Sequence, residues 1–98
     1  MLQDDRKLKL RTIIESPRFS LELKEIIKDS PPADDFVFGV KHKLARSPEE
    51  GKRIGESHVW FLPMVEQPNL MPVVLYYTFD EETVMLLSIT ETLYLPQK

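Results

Sequence analysis

Three Ser-Pro steps, Ser16-Pro17, Ser30-Pro31 and Ser47-Pro48, divide the first half of the chain into short segments. Proline has no N–H and is tolerated at the first position of a helix, and the serine before it can cap exposed N–H groups. Between the first two steps, Phe19, Leu23, Ile26 and Ile27 fall at i, i+4, i+7 and i+8, one apolar stripe that predicts an amphipathic helix. Between the second and third, Ala33, Phe36, Val37, Val40 and Leu44 repeat the helical spacing to about Ala45. Ser30-Pro31-Pro32 is expected to end the first helix and cap the second, so the pair forms a helical hairpin. Its opposite face collects Lys41, His42, Lys43 and Arg46.

The segments on either side read as strands. Lys7 to Ile14 alternates basic and apolar residues, as a half-buried strand does; a helical start competes, because Lys and Leu are also good helix formers. Ser47-Pro48-Glu49-Glu50-Gly51 and Gly55 punctuate the chain as turns. Three strand-like runs follow: His58–Val65, where Pro63 marks an edge or a bulge, Val73–Phe79 and Val84–Thr90. The acidic turn Asp80-Glu81-Glu82-Thr83 joins the last two as a hairpin, and residues 66–72 form a loop. The order β-α-α-β-β-β predicts a two-layer α+β sandwich, with the helical hairpin packed on a mostly antiparallel sheet.

At 98 residues with 42% hydrophobic content, the chain is expected to form one domain, residues 1–98, with a single core. With no cysteine, disulfides, thiolate metal sites and cysteine nucleophiles are excluded. No apolar run approaches the roughly 18 residues of a membrane span, and Met1-Leu2-Gln3-Asp4-Asp5 lacks a signal-peptide pattern, so a cytoplasmic protein without membrane partners is expected. Charge is unevenly distributed. Residues 1–55 carry 12 Lys and Arg against 10 Asp and Glu, whereas residues 56–98 carry 1 against 6. The front is basic-leaning and the back is apolar with acidic charges.

Among polar groups, Lys41, Lys43, Arg46, Lys52 and Arg53 are the candidates for contact with an anion or RNA. The favoured reading of the same cations is an ordinary solvated helix end near the negative pole of the dipole, because the whole protein is acidic and no aromatic residue is interleaved with them to stack bases. His42 lies between two lysines and His58 has only Glu56 nearby, so neither makes a metal site, and no cofactor is expected. Gly51-Lys52-Arg53-Ile54-Gly55 lacks the strand–loop–helix frame of a phosphate loop and reads as a turn. Asp80, Glu81 and Glu82 sit in a hairpin turn, where exposed carboxylates are ordinary. Trp60, Tyr76 and Tyr77 are the candidates for partner binding, with alternation putting the adjacent tyrosines on opposite faces.

The element order and several strings resemble the RelE/ParE toxin superfamily of bacterial toxin–antitoxin systems. The resemblance rests on the strand-plus-helix opening with Phe19 and Leu23-Lys24, on Leu44-Ala45-Arg46-Ser47-Pro48-Glu49-Glu50-Gly51, on Trp60 as in HigB-like members, and on the hairpin from Val74 to Ile89. It spans roughly residues 7–94 and implies a RelE-like fold. Its ribonuclease members cut messenger RNA on the ribosome with basic residues in the sheet, which supply a base, an acid and cations for the developing charge. The corresponding positions here hold Val59 and Phe61, or Pro63 in the HigB-like register, then Val74, then Glu91 or Thr92. Only Tyr94 is similar to the family's C-terminal aromatic acid–base residue.

The resemblance therefore implies a toxin-fold protein acting by protein binding, with a cognate antitoxin as partner and a protein target such as the gyrase bound by the ParE branch. The alternative from the enzyme class is a divergent, metal-free, ribosome-dependent endoribonuclease using Lys41, His42, Arg46, Lys52, Arg53 and Tyr94, with Arg46 and Tyr94 as catalytic candidates. A positive patch joining the helix end to the sheet favours that alternative, and dispersal of those residues over separate faces counts against it. A third reading is an unrelated α+β interaction domain, which predicts that the first strand stays out of the sheet.

Overall fold

The computed structural model describes residues 10–64 and 72–91. In chain order they form β1 (Thr12–Glu15), α1 (Pro17–Asp29), α2 (Ala33–Arg46), a 3-10 turn (Pro48–Glu50), β2 (Lys52–Arg53), β3 (Trp60–Met64), β4 (Val73–Phe79) and β5 (Thr83–Glu91). The sheet runs β1-β5-β4-β3-β2, with β1 parallel to β5 and every other pair antiparallel. The two helices lie on one face, giving the expected α+β sandwich. The first strand is in the sheet, against the unrelated-domain reading.

The first Ser-Pro step works as read. The Ser16 hydroxyl accepts the Phe19 N–H while donating to the Leu87 carbonyl at 3.0 Å, so one side chain caps α1 and ties it to β5. Phe19, Leu23 and Ile26 are buried and Ile27 packs beside them. The second step works differently. Ser30 is itself buried, and its N–H closes α1 on the Ile26 carbonyl while its carbonyl receives the Ala33 N–H. The position that starts α2 is Pro32, which has no capping side chain, and Asp34 and Asp35 complement the helix dipole in its place.

Behind the helices, Val73, Leu75 and Tyr77 from β4 and Val84, Leu86 and Ile89 from β5 meet Phe19, Leu23, Val37 and Leu44 in one core. Full burial of such side chains contributes about 1.5–3 kcal/mol each. Strict alternation from Val84 and Leu86 would turn Ile89 outward. Tyr76 pairs with Ser88 but Tyr77 with Leu86, so Leu87 is an extra residue, and this bulge returns Ile89 to the core.

Four expectations need correction. β1 begins at Thr12, and Lys7–Lys9 lie outside the described residues. β3 starts at Trp60 because Ile54–Val59 are folded into a tight turn, closed by the Ile54 N–H on the Val59 carbonyl and by Gly55 at φ 54°, a conformation glycine adopts without strain. Lys52 and Arg53, read as turn residues, form a fifth, two-residue strand paired with Phe61 and Trp60. That strand covers only the start of β3, and Pro63 lies beyond it, with no partner on that side among the described residues. Finally, Lys41 does not belong to the solvated face of α2. Its ammonium is bonded to Glu15 of β1.

Two carboxylates hold helices to strands. Glu15 also accepts from Ser20 at 2.6 Å. Glu22 accepts from the Ser88 hydroxyl at 2.7 Å and the Ile89 N–H at 3.0 Å. Partial burial raises both pKa values, but the donated hydrogen bonds from Lys41 and Ser20, and from Ser88 and Ile89, outweigh it and leave both below the ordinary 4.5. Their stabilisation is therefore present above about pH 4.5, where the unfolded carboxylates are also ionised, and is lost as pH falls through the lower folded values. Glu15→Gln and Glu22→Gln should each lower the thermal midpoint at pH 7 and flatten its fall between pH 5 and 3, read by circular-dichroism melts across that range. A second set of melts addresses the crossover to β2. A Cβ on Gly51 would sit 2.5 Å from the Phe61 carbonyl oxygen and 2.6 Å from the Tyr77 hydroxyl, whereas one on Gly39 meets nothing within 4 Å. Gly51→Ala should destabilise by about 1–3 kcal/mol, while Gly39→Ala in exposed α2 should stabilise by about 0.5–1 kcal/mol.

Candidate functional site

The face of the sheet away from the helices is assembled from alternate residues of each strand. Register places Ile14 beside Met85 and Met85 beside Thr78; the next row brings Tyr76 beside Phe61 and Phe61 beside Lys52. Val74 and Pro63 form a third pair. Among the described residues of these rows the only charge is Lys52, at the far edge. Of the positions implied by the resemblance, Phe61 is half-buried, Pro63 is exposed and Val74 is 7% exposed on this face. Val59 precedes β3, with its N–H on the Ser57 hydroxyl. Thr92 and Tyr94 lie outside the described residues. Val59, Phe61, Pro63 and Val74 carry no side-chain group that can anchor a phosphate or move a proton.

The cations do not converge. Lys43 and Arg46 are exposed in the last turn of α2, and His42 packs edge-on against Phe38 at 5.2 Å. Lys41 is engaged by Glu15. Lys52 takes the open face with Phe61, whereas Arg53 pairs with Trp60 on the helix side and donates to the Gly55 carbonyl at 3.3 Å. The sheet therefore separates Lys52 from the cations of α2. Among the described residues, no three His, Asp or Glu side chains converge as metal ligands would.

The aromatic candidates divide as well. Tyr76 faces the open side and is half-buried. Trp60 turns the other way, 5.2 Å from Phe79 and 6.5 Å from Tyr77, with the Arg11 guanidinium 5.7 Å over the Phe79 ring. Tyr77 is completely buried, which corrects its assignment to a binding surface. Its hydroxyl donates to the Pro48 carbonyl and accepts the Gly51 N–H at 3.1 Å. Burial pushes that hydroxyl's pKa up; the Gly51 bond opposes this and the Glu49 and Glu50 charges reinforce it, so the group stays a neutral donor. In the acidic turn, Asp80 accepts the Glu82 and Thr83 N–H groups, both at 2.8 Å, and these bonds hold its carboxyl below the usual range. It shapes the turn.

Sequence reasoning passed over Glu15, Glu22 and a groove of about 310 Å³ between β1 and α2, lined by Leu10, Arg11, Ile13, Phe38, Lys41, His42 and Ala45. A signal existed for two of the charges. Glu22 stands three residues after Phe19 and four before Ile26, and Lys41 four after Val37 and three before Leu44, so both lie on the buried stripes. A charge on such a stripe reaches for a partner on the facing layer.

No protein-family model matches the chain, and no curated protein matches it. Among solved structures, the free state of a double arginine-to-alanine mutant of the E. coli toxin RelE superposes with a TM-score of 0.61 at 19% sequence identity, covering 84% of this chain and 83% of that one. This likeness shows that the chain has a RelE-like fold.

Proposed function

We propose that this RelE-fold protein is the toxin-like member of a toxin–antitoxin pair, acting in the cytoplasm by binding proteins and not by cutting RNA. The observation that carries the reading is the open sheet face. A metal-free ribonuclease needs a base, an acid and cations aimed at one phosphate. Among the described residues, that face presents Ile14, Met85, Thr78, Tyr76 and Phe61, with Lys52 the one charge, at its rim. The cations of the competing ribonuclease reading are dispersed: Lys41 is neutralised by Glu15, and Lys43 and Arg46 end a helix on the other side of the sheet. Apolar and aromatic surface of this kind is suited to a protein partner. The partner that follows is a cognate antitoxin, and the cellular target is a further protein.

Expression in a bacterial host with and without the neighbouring gene product tests this reading. Growth arrest relieved by that product, with ribosome-bound messenger RNA left intact, is the expected outcome. Cleavage of ribosome-bound mRNA by the purified protein, abolished by Arg46→Ala or Tyr94→Phe, would overturn the non-nucleolytic reading. Absence of both arrest and complex formation would remove the toxin–antitoxin assignment.

A further inference from the structure

β5 outruns β1. Their parallel pairing ends at Glu15 beside Leu86, and β5 continues to Glu91 with no strand on that side among the described residues. The backbone groups of this stretch are met by the start of α1 instead. The Ser16 N–H donates to the Leu86 carbonyl at 2.9 Å, and the Ser16 hydroxyl donates to the Leu87 carbonyl at 3.0 Å. Successive carbonyls of a regular strand point to opposite sides, so two in a row meet one residue only where the strand is bulged. Further along α1, Glu22 Oε1 accepts the Ile89 N–H at 3.0 Å and the Ser88 hydroxyl at 2.7 Å. Arg18 Nε donates to Glu22 Oε2 at 3.1 Å, which leaves the other oxygen turned to β5.

Core packing does not explain where the bulge sits. Tyr77 lies beside Leu86 and Leu75 beside Ile89, so one residue of β5 between Leu86 and Ile89 is left over. Ile89 reaches the core, where it is 1% exposed, whether the extra residue is Leu87 or Ser88. The two arrangements differ at Tyr76. With Leu87 extra, as observed, Tyr76 lies beside Ser88; with Ser88 extra, it would lie beside Leu87. Burial is non-directional and depends on area, so it leaves this choice open. The hydrogen bonds do not. A bulge at Ser88 would aim the Leu87 carbonyl at β4, away from the Ser16 hydroxyl, and would take the Ser88 side chain out of its present place against Glu22.

We infer that Ser16 and Glu22 form a register lock on β5: the hydroxyl and the carboxylate select Leu87 as the extra residue and so place Ser88, and not Leu87, beside Tyr76. The lock couples α1 to the opposite face of the sheet. Its release sets a leucine next to Tyr76; complete loss of the bulge would in addition turn Ile89 and Glu91 onto that face, since a one-residue slip exchanges the two faces of a strand. Either change alters the surface read above as a protein-binding face. The lock itself consists of contacts within the chain and is independent of whether the protein binds an antitoxin.

Nuclear magnetic resonance on the full chain reads the lock directly, because cross-strand backbone contacts of Tyr76 identify its partner. The wild type should show Tyr76 against Ser88 alone. Glu22→Ala and Ser16→Asp should each show a second set of β5 resonances with Tyr76 against Leu87, amounting to about a tenth of the protein or more, and the double variant should show a larger share. Ser16→Asp retains an acceptor for the Phe19 N–H at the start of α1, but its carboxylate has no proton for the Leu87 carbonyl. Glu22→Gln and Ser16→Thr keep the acceptor and the hydroxyl and should keep Ser88 beside Tyr76. Ile89→Thr weakens the burial but leaves both lock residues, and should also keep it. Contact between Tyr77 and Leu86 in each variant reports that the hairpin is folded. Ser88 as the only partner of Tyr76 in both Glu22→Ala and Ser16→Asp would overturn the lock. A move to Leu87 in Ile89→Thr would overturn it as well, by showing that burial sets the register.

Discussion

The Tyr77 hydroxyl is where the helical half of the molecule and the sheet are joined. The chain leaves α2 at one side of the sandwich and must cross to the far edge of the sheet to form β2. A completely buried phenol on the central strand β4 holds that crossing, donating to the Pro48 carbonyl and accepting the Gly51 N–H. Both backbone groups would otherwise be left without partners in a low-dielectric interior, at roughly 1–3 kcal/mol each. The bond also explains the glycine, since a side chain at 51 would occupy the space of that hydroxyl. With the crossing fixed, Lys52 and Arg53 fall beside β3, and the five-strand order follows.

The consequence for function is a separation of charge from the open face. Helix dipole and solvent favour the cations at the end of α2, and the one cation drawn inward, Lys41, is consumed by Glu15. The sheet keeps these groups apart from Lys52. Among the described residues, what remains on the side away from the helices is a row of half-buried apolar and aromatic residues, and between β1 and α2 lies a groove lined by Leu10, Ile13 and Phe38 with Arg11 and His42. Unpaired strand edges are normally blunted, because they recruit other chains. At the N-terminal end of β1 the Arg11 N–H is taken by the Ala45 carbonyl, which covers that end with α2.

The candidate site was legible only in part. Alternation correctly put Tyr76 and Tyr77 on opposite faces, but the assignment of Tyr77 to a partner surface failed because burial is a property of the layer opposite a residue. Trp60 shows the same limit, since its orientation depends on pairing with Tyr77 and on β2. The cation cluster was contiguous in sequence yet divided in space, because a helix turn, a 3-10 turn and an edge strand each aim consecutive side chains in different directions. Glu22 and Lys41 were detectable as charges on apolar stripes, but their partners, 66 and 26 residues away in the chain, were not.

By itself, the sequence determined the elements. The Ser-Pro steps, the apolar spacing of 3–4 residues and the β-branched and aromatic runs on either side of an acidic turn are local chemistry, acting within a few residues. They set two helices and a hairpin of β4 and β5. Tertiary structure alone decided the fifth strand, the bulge at Leu87 that returns Ile89 to the core, and the parallel placement of β1 beside β5. Each depends on contacts between residues far apart in the chain, so no local pattern encodes it. The groove between β1 and α2 exists only because of that last placement.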